Sequence, residues 1–231
     1  MKRENEIITI LGKKGGGKTS LAANLTNDCN RLIIFDYNRE YQRGLVVSTP
    51  TQLAKELQKY YESAFRIIYR PDDSILIDEH FEFFSRIAYA MNNYTLLIEE
   101  IDLVSSSNFM TEGLQKIINY GRHKGISLIG LSRRAFKVPR DLTSNSDKVM
   151  IAGPLNEPRD IKYLAEFMDT EDAEKVRNLK REEGKGSEFL VWSTDGVYIG
   201  KINFLTKEVQ FNNLVPSKNL TEEPKSPEVE K

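Results

Sequence analysis

Two clusters of residues in this chain have the types and spacing that chemistry on a phosphate group requires. The first is the segment GKKGGGKTS, residues 12–20, which fits the pattern G-x-x-x-x-G-K-[ST]. The second is the adjacent pair Glu99 and Glu100, which ends the apolar run TLLI. Like charges placed side by side repel each other and resist burial, so a cation is expected beside them.

The glycine-rich segment has the composition of a phosphate-binding loop. Its glycines let successive backbone N–H groups converge on an anion, and a following helix would offer its N-terminus to the same phosphates. Lys18 would reach the β- and γ-phosphates of ATP, and the Thr19 hydroxyl would ligate Mg²⁺. The alternative, a turn without a ligand, is disfavoured by the apolar strand before the segment and the helix-compatible SLAANL after it. The expected nucleotide contacts are Gly12, Lys13, Lys14, Gly15, Gly16, Gly17, Lys18, Thr19 and Ser20.

The two carboxylates would divide the remaining chemistry between them. They would stand at the tip of a neighbouring parallel strand, and ligands of such sheets collect beyond the carboxyl ends of the strands. Glu99 would hold Mg²⁺ through water, and Glu100 would accept a proton from the water that attacks the γ-phosphate. The alternative is an acidic surface turn with no catalytic role.

Composition places the chain among ordinary globular proteins. Hydrophobic residues make up 39% of its 231 residues and charged residues 29%. The single cysteine excludes an internal disulfide, and two distant histidines disfavour a zinc site. No run is apolar enough for membrane insertion, and the N-terminus lacks the features of a signal peptide. We therefore expect a cytoplasmic protein.

Short apolar runs alternate with helical patterns, which predicts an α/β fold with a mainly parallel sheet covered by helices on both faces. Expected strands are Ile7–Leu11, Leu32–Phe35, Leu45–Val47, Phe65–Tyr69, Thr95–Ile98, Ser127–Leu131 and Lys148–Ile151. Expected helices lie near 18–26, 51–61, 77–91, 108–121, 157–168 and 170–182. A turn at Asp195-Gly196 predicts a small C-terminal β-hairpin over 188–202. We expect one domain over 1–215 and a disordered tail over 216–231, which is rich in charge and proline.

Contact with nucleic acid would need a local basic patch, because the net charge is −1. Residues 113–140 contain no acid, and a solvated surface is the ordinary role of such a run. A surface for phosphate contacts is the alternative. The cations of this basic segment are Lys116, Arg122, Lys124, Arg133, Arg134, Lys137 and Arg140.

Four segments within residues 6–165 resemble the HerA/FtsK superfamily of hexameric DNA-pumping ATPases. They are GKKGGGKT, LIIFDYNREY, LLIEEID and YGRHKGISLIGLSRR. The compact length looks most like the genome-packaging ATPases of tailless, membrane-containing icosahedral viruses. Asp36, Glu40 and Tyr41 fit the family's acidic element after the second strand. The resemblance implies a RecA-like P-loop NTPase of the additional-strand, catalytic-glutamate type.

The resemblance also implies roles for two arginines. Arg122 would be a finger that enters the neighbouring subunit's site and stabilises charge on the transferring phosphoryl group. Its alternative role is that of a basic residue at a helix end, near the negative pole of the dipole. Arg133 stands where the family often has glutamine, and would act either as a second cationic sensor or as a DNA contact.

The implied function is an ATP-driven motor that translocates double-stranded DNA and packages a viral genome into a capsid. Its subunits would form a hexameric ring, attached to a capsid or membrane vertex protein, in the host cytoplasm or on the virion. Arg134, Lys137 and Arg140 would contact the DNA backbone without sequence preference.

Three other functions stay open at this point. The loop partly resembles that of ParA/MinD-type switch ATPases, with Lys13 at the place of their signature lysine, although Lys14 stands where they have glycine. An assembly or secretion ATPase would move protein in phage or pilus morphogenesis. A non-catalytic nucleotide-binding module would not need Glu100 beside Glu99.

Overall fold

The computed structural model describes residues 5–72, 76–106 and 108–215. The predicted disordered tail over 216–231 lies outside these residues. The described strands are β1 (Ile7–Leu11), β2 (Arg31–Phe35), β3 (Leu45–Val47), β4 (Phe65–Tyr69), β5 (Tyr94–Ile98), β6 (Ile126–Ser132), β7 (Lys148–Ala152), β8 (Arg181–Glu182), β9 (Gly186–Ser193), β10 (Gly196–Asn203) and β11 (Val209–Val215). The described helices are α1 (Lys18–Thr26), α2 (Pro50–Lys59), α3 (Ile77–Ala90), α4 (Glu112–Tyr120), α5 (Arg140–Ser144), α6 (Pro158–Leu164) and α7 (Thr170–Lys175).

These strands form one sheet in the order β11-β10-β9-β7-β1-β6-β5-β2-β4-β3, with β8 beside β9. The strands from β7 to β3 in that order are parallel, so their carboxyl ends share one edge of the sheet, called here the carboxyl edge. The opposite edge is called the amino edge. Strands β9, β10 and β11 are antiparallel to their neighbours and, with β8, form the C-terminal antiparallel unit. The predicted α/β class with a mainly parallel sheet is confirmed.

Strand β6 lies between β1 and β5, so the two strands that carry the predicted site are not neighbours. Leu11 of β1 pairs with Ser132, the last residue of β6, and Ile98 of β5 pairs with Gly130, two residues earlier, so β1 and β5 both end at the carboxyl edge. Each of these strands is buried on both faces over nearly all of its length, and this shared pattern does not distinguish one order of the strands from another. The strand order is therefore decided by tertiary packing and cannot be read from hydrophobic pattern.

Helices cover the two faces of the sheet unequally. Helices α2 to α7 pack on one face through residues such as Leu53, Phe84 and Leu114. The other face is covered by α1 through Leu21 and by an extended segment that contributes Tyr41. The side chain of Glu99 lies on the α1 face, because Ile98 before it belongs to the core under the other helices and side chains alternate along a strand.

The structure differs from the expectations mainly after residue 170. The predicted helix over 170–182 ends at Lys175, and its last residues form a short turn and strand β8. The predicted hairpin is present as β9 and β10, but Ser193 pairs with Gly196, so the two-residue loop is Thr194-Asp195. It is joined to the main sheet through β7 and is extended by β11, which was not predicted. The sequence of β11 contains the pair Asn212-Asn213, and asparagine is depleted in strands.

None of the described helices combines the length and the apolar character that crossing a membrane requires.

Candidate active site

The predicted phosphate-binding segment, residues 12–17 and called here the phosphate loop, connects the carboxyl end of β1 to the start of α1. Gly15 has φ +74°, a left-handed conformation that side chains with a Cβ rarely adopt. A Cβ on Gly16 would lie 2.4 Å from the carbonyl oxygen of Ala152 at the end of β7, so only glycine fits there. The first turn of α1 has neither an acidic residue nor a capping side chain. Its backbone N–H groups are therefore available to an anion.

Lys18, the first residue of α1, is buried in this loop with only 7% of its surface exposed. Burial lowers the pKa of Lys18, while the nearby charges of Glu100 and Glu99 oppose that shift. Because burial outweighs these two carboxylates, an ammonium group held in this position would be stabilised by a bound anion. The phosphates of a nucleotide would provide that charge.

Glu99 and the phosphate loop meet directly. The hydroxyl of Thr19 donates a hydrogen bond of 3.0 Å to Glu99 Oε1. Glu99 Oε2 is buried and has no hydrogen-bond partner among the described residues. A carboxylate oxygen and a hydroxyl oxygen are the hard ligands that Mg²⁺ takes, and an unpartnered buried oxygen is what a missing cation or its water would leave. The residues present therefore fit Mg²⁺ at this point.

Replacing Glu99 with glutamine is expected to stabilise the ligand-free protein at pH 8 by on the order of 3 kcal/mol. Burial raises the pKa of Glu99 from 4.5 to about 7, while the Thr19 hydrogen bond and Lys18 oppose the rise. Between those two values the folded protein retains a proton that the unfolded chain has lost. Stability of the wild type should therefore fall as pH rises from about 4.5 to about 7, and Glu99→Gln should lack that loss.

Chemical denaturation in EDTA across pH 5 to 8 measures this difference. Glu6→Gln is a matched control, because Glu6 is an ion-paired carboxylate at the amino edge, 2.6 Å from Lys148. Parallel stability curves for wild type and Glu99→Gln would contradict the assignment of a buried, charge-strained carboxyl at this position.

Glu100 is turned away from the strand by its own backbone. Its φ is +52°, a left-handed conformation that costs energy in a residue other than glycine and that is found at functional sites. Its buried carboxylate accepts a hydrogen bond of 2.5 Å from Arg133 Nε and one of 3.3 Å from Asn38 Nδ2, both at Oε1. Arg133 therefore contacts Glu100, the candidate catalytic residue, within the same chain. Asn38 was not identified from the sequence, because it is 62 positions from Glu100.

The acidic element after β2 braces the same region. Asp36 is fully buried, and its carboxylate accepts hydrogen bonds from the backbone N–H groups of Glu40 and Tyr41 and from Arg70 Nε at 3.0 Å. These contacts hold Tyr41 beside Glu99. Burial raises the pKa of the Tyr41 phenol, and the charge of Glu99 adds to that rise. The Tyr41 hydroxyl has no hydrogen-bond partner among the described residues, so a second unpartnered polar atom faces this region.

Arg122 lies at the amino edge of the sheet, away from the phosphate loop. Its Nη2 contacts both carboxylate oxygens of Asp147, at 2.6 and 2.7 Å, and Asp147 also accepts a hydrogen bond from the backbone N–H of Ile7. The five residues of β1 separate the two edges by roughly 15 Å. Within one chain Arg122 therefore does not meet Glu100, and its role in a neighbouring subunit's site stays a prediction.

Most cations of the basic segment have acidic partners from outside the segment. Lys116 pairs with Glu112, Arg122 with Asp147, Arg133 with Glu100, Arg134 with Asp160 and Glu157, and Arg140 with Glu166. Lys124 lies over the ring of Tyr89. Lys137 is exposed and has no ion pair with any described residue. Of the three predicted DNA contacts, Lys137 alone is not engaged in such a pair within the described chain.

The C-terminal antiparallel unit borders the phosphate loop. The sequence did not predict this contact. A Cβ on Gly17 would lie 2.9 Å from the Phe204 ring, so that ring packs on the loop. Lys207 Nζ donates a hydrogen bond of 3.0 Å to Ser20 Oγ. The guanidinium of Arg181 lies against Gly15. Nothing local to these residues indicates a nucleotide site, because they reach the loop only through the pairing of β9 with β7.

Comparison with known proteins finds similarity at the level of the fold. No family model and no curated protein matches the chain. The genome packaging NTPase B204 from Sulfolobus turreted icosahedral virus 2, in complex with AMPPCP, has a TM-score of 0.67 at 17% identity, covering 93% of this chain and all of that chain. Its complex with AMP gives 0.66 at 18% identity over 91% and 98% of the two chains. The DNA-packaging ATPase B204 from Sulfolobus Turreted Icosahedral Virus gives 0.63 at 18% identity over 94% and 100%.

These similarities confirm the RecA-like P-loop NTPase fold. The resemblance to viral genome-packaging ATPases, which was inferred from the compact length, is confirmed as a similarity of fold.

Proposed function

We propose that this chain is one subunit of an ATP-hydrolysing motor that translocates double-stranded DNA and packages a viral genome. The observation that carries the enzymatic part is the meeting of Thr19 and Glu99 at the carboxyl edge, with Glu100 as the next residue. Paired carboxylates beside a phosphate-binding loop fit nucleotide hydrolysis better than they fit storage or sensing of a nucleotide. The DNA-moving part rests on the shared fold and on Lys137.

Each residue of the site has a distinct task in this mechanism. The backbone of the phosphate loop and Lys18 bind and orient the polyphosphate. Thr19 and Glu99 would hold Mg²⁺, which supplies positive charge to the phosphates. Arg133 and Asn38 occupy Oε1 of Glu100 and fix its carboxylate, so Oε2 is the atom that accepts the proton of the attacking water.

The finer features of the motor are also part of this proposal. Subunits would assemble as a hexameric ring, in which Arg122 releases Asp147 and enters the site of the next subunit. The ring would work in the host cytoplasm or on the virion, attached to a capsid or membrane vertex protein. Lys137, together with Arg134 and Arg140 once their ion pairs open, would contact the DNA backbone.

Duplex DNA is expected to stimulate ATP turnover at low salt, and the stimulation should decline steeply as salt rises. Each phosphate contact releases condensed counterions, so affinity falls with the logarithm of the salt concentration. Steady-state ATPase assays at about 50 mM and about 200 mM salt, with and without duplex, measure this effect. Lys137→Gln should reduce the stimulation without changing the DNA-independent rate.

Lys124→Gln is the matched control for that variant, because it removes one cation of the same basic segment near the ring of Tyr89. If the ATPase rate at low salt is the same with and without duplex DNA, that result would count heavily against DNA translocation. It would favour an ATPase that moves protein. Light scattering of the same preparations distinguishes a ring from the nucleotide-dependent dimer of a ParA/MinD-type switch.

A further inference from the structure

Arg181 lies directly against the phosphate loop, although it is more than 160 positions away in the chain. A Cβ placed on Gly15 would be 2.5 Å from Arg181 Nη2 and 3.1 Å from Cζ, so the guanidinium covers the position that a side chain would occupy. Strand β8 sets this placement, because Arg181 pairs with Ser187 of β9. The next residue, Glu182, forms an ion pair with Lys201 of β10 at 3.5 Å, which ties β8 to the rest of the antiparallel unit.

The guanidinium has no anionic partner in the described part of the chain. Its side chain makes no ion pair or hydrogen bond there, and neither do those of Lys13 and Lys14 in the loop. Lys13, Lys14 and Arg181 are thus three exposed cations, on or against the loop, that have no acidic partner among the described residues. Their charges would attract a polyanion to the backbone N–H groups of the loop.

The strand order indicates which part of that anion Arg181 would meet. Glu99 and Glu100 follow β5, two strands from β1 on one side, and β8 joins β9, two strands from β1 on the other. The terminal phosphate must face the carboxylates, because the attacking water and the metal are needed there. The remainder of the nucleotide therefore extends toward β7, β9 and Arg181.

We propose that Arg181 is a binding residue of the nucleotide site, which contacts the phosphates that ADP and ATP share. This inference rests on the proposed nucleotide-binding function and adds to it a ligand from the C-terminal antiparallel unit. The same unit also contacts the loop through Phe204 at Gly17 and through Lys207 at Ser20. The antiparallel unit is therefore the second wall of the site, and bound nucleotide would link it to the parallel sheet.

Calorimetric titration of ADP and ATPγS into wild type, Arg181→Gln and Lys180→Gln tests the proposal. Arg181→Gln should weaken both ligands by a similar factor, about tenfold or more, since charge-assisted hydrogen bonds to phosphate are lost. The rate at saturating ATP should change by less than about twofold, since uniform binding is what is removed. Lys180→Gln removes the adjacent exposed cation and should match wild type. Arg181→Lys keeps the charge and should recover part of the affinity.

The possible failures are distinguishable. If wild type binds neither nucleotide, the proposed function itself is wrong. If wild type binds both, Lys18→Ala does not, and Arg181→Gln equals wild type, then Arg181 is an exposed arginine that only rests on the loop. A loss confined to ATPγS or to turnover would place the guanidinium at the terminal phosphate and overturn the assignment. Equal thermal unfolding of ligand-free wild type and Arg181→Gln verifies that the variant is folded.

Discussion

Replacing Glu100 with glutamine is expected to reduce ATP turnover by about 10²- to 10⁴-fold, the range that a positioned general base contributes. Glutamine keeps the shape of the side chain and an oxygen that can accept the hydrogen bonds from Arg133 and Asn38, but it cannot accept a proton. ATP should therefore remain bound without being hydrolysed. Single-turnover assays and a filter-binding measurement of retained ATP separate the two effects.

Lys18→Ala provides the contrasting variant, because it removes a group that binds phosphate and should abolish retention as well as turnover. Glu6→Gln, at the amino edge, controls for the loss of an ion-paired carboxylate. Undiminished turnover in Glu100→Gln would remove Glu100 from the catalytic role. Loss of ATP binding together with turnover would indicate that Glu100 acts in binding, with the proton accepted elsewhere.

Replacing Asp36 with alanine is expected to lower the free energy of unfolding by about 3–5 kcal/mol, the range for removing one partner of a buried ion pair. Asp36 is fully buried, and Arg70, whose side chain is only 20% exposed, would lose its carboxylate partner. The backbone N–H groups of Glu40 and Tyr41 would lose their acceptor as well. Urea denaturation of the ligand-free protein measures the change.

A second effect of Asp36→Ala should appear at the active site. The segment that Asp36 braces carries Asn38 to Glu100 and Tyr41 to the side of Glu99, so turnover should fall along with stability. Glu82→Ala is the matched control, because Glu82 forms a partly exposed ion pair with Arg86 on the surface of α3, worth about 1 kcal/mol or less. A loss in Asp36→Ala no larger than that of the control would show that the buried pair does not hold this segment.

The parallel part of the fold could be predicted from the sequence with little error. Strands β1, β3 and β4 and helix α1 have the predicted bounds, because each is a short run whose pattern and punctuation are local. The region after residue 170 could not be predicted in the same way. Its helical pattern gives way to β8 because pairing with β9 outweighs a weak local helix preference.

The basic segment shows how a sequence pattern changes meaning in three dimensions. No acid occurs between residues 113 and 140, a pattern that left open either an ordinary solvated surface or a local basic patch for phosphate contacts. The fold instead places Arg122 at the amino edge and Arg133 at the carboxyl edge, and it supplies partners such as Asp147, Glu100 and Glu166 from outside. Charge along a chain is therefore a poor guide to charge on a surface, because ion pairs form between residues distant in sequence.

By itself, the sequence predicted the phosphate loop, since a cradle for an anion is made by consecutive backbone N–H groups and needs only its own glycines, lysine and threonine. It also determined that an acidic pair ends a buried strand. Tertiary structure alone decided that β6 separates that strand from β1, that Arg133 and Asn38 hold Glu100, and that Arg181 approaches Gly15. These contacts join segments through strand pairing and side-chain packing, and neither is encoded within any one stretch of the chain.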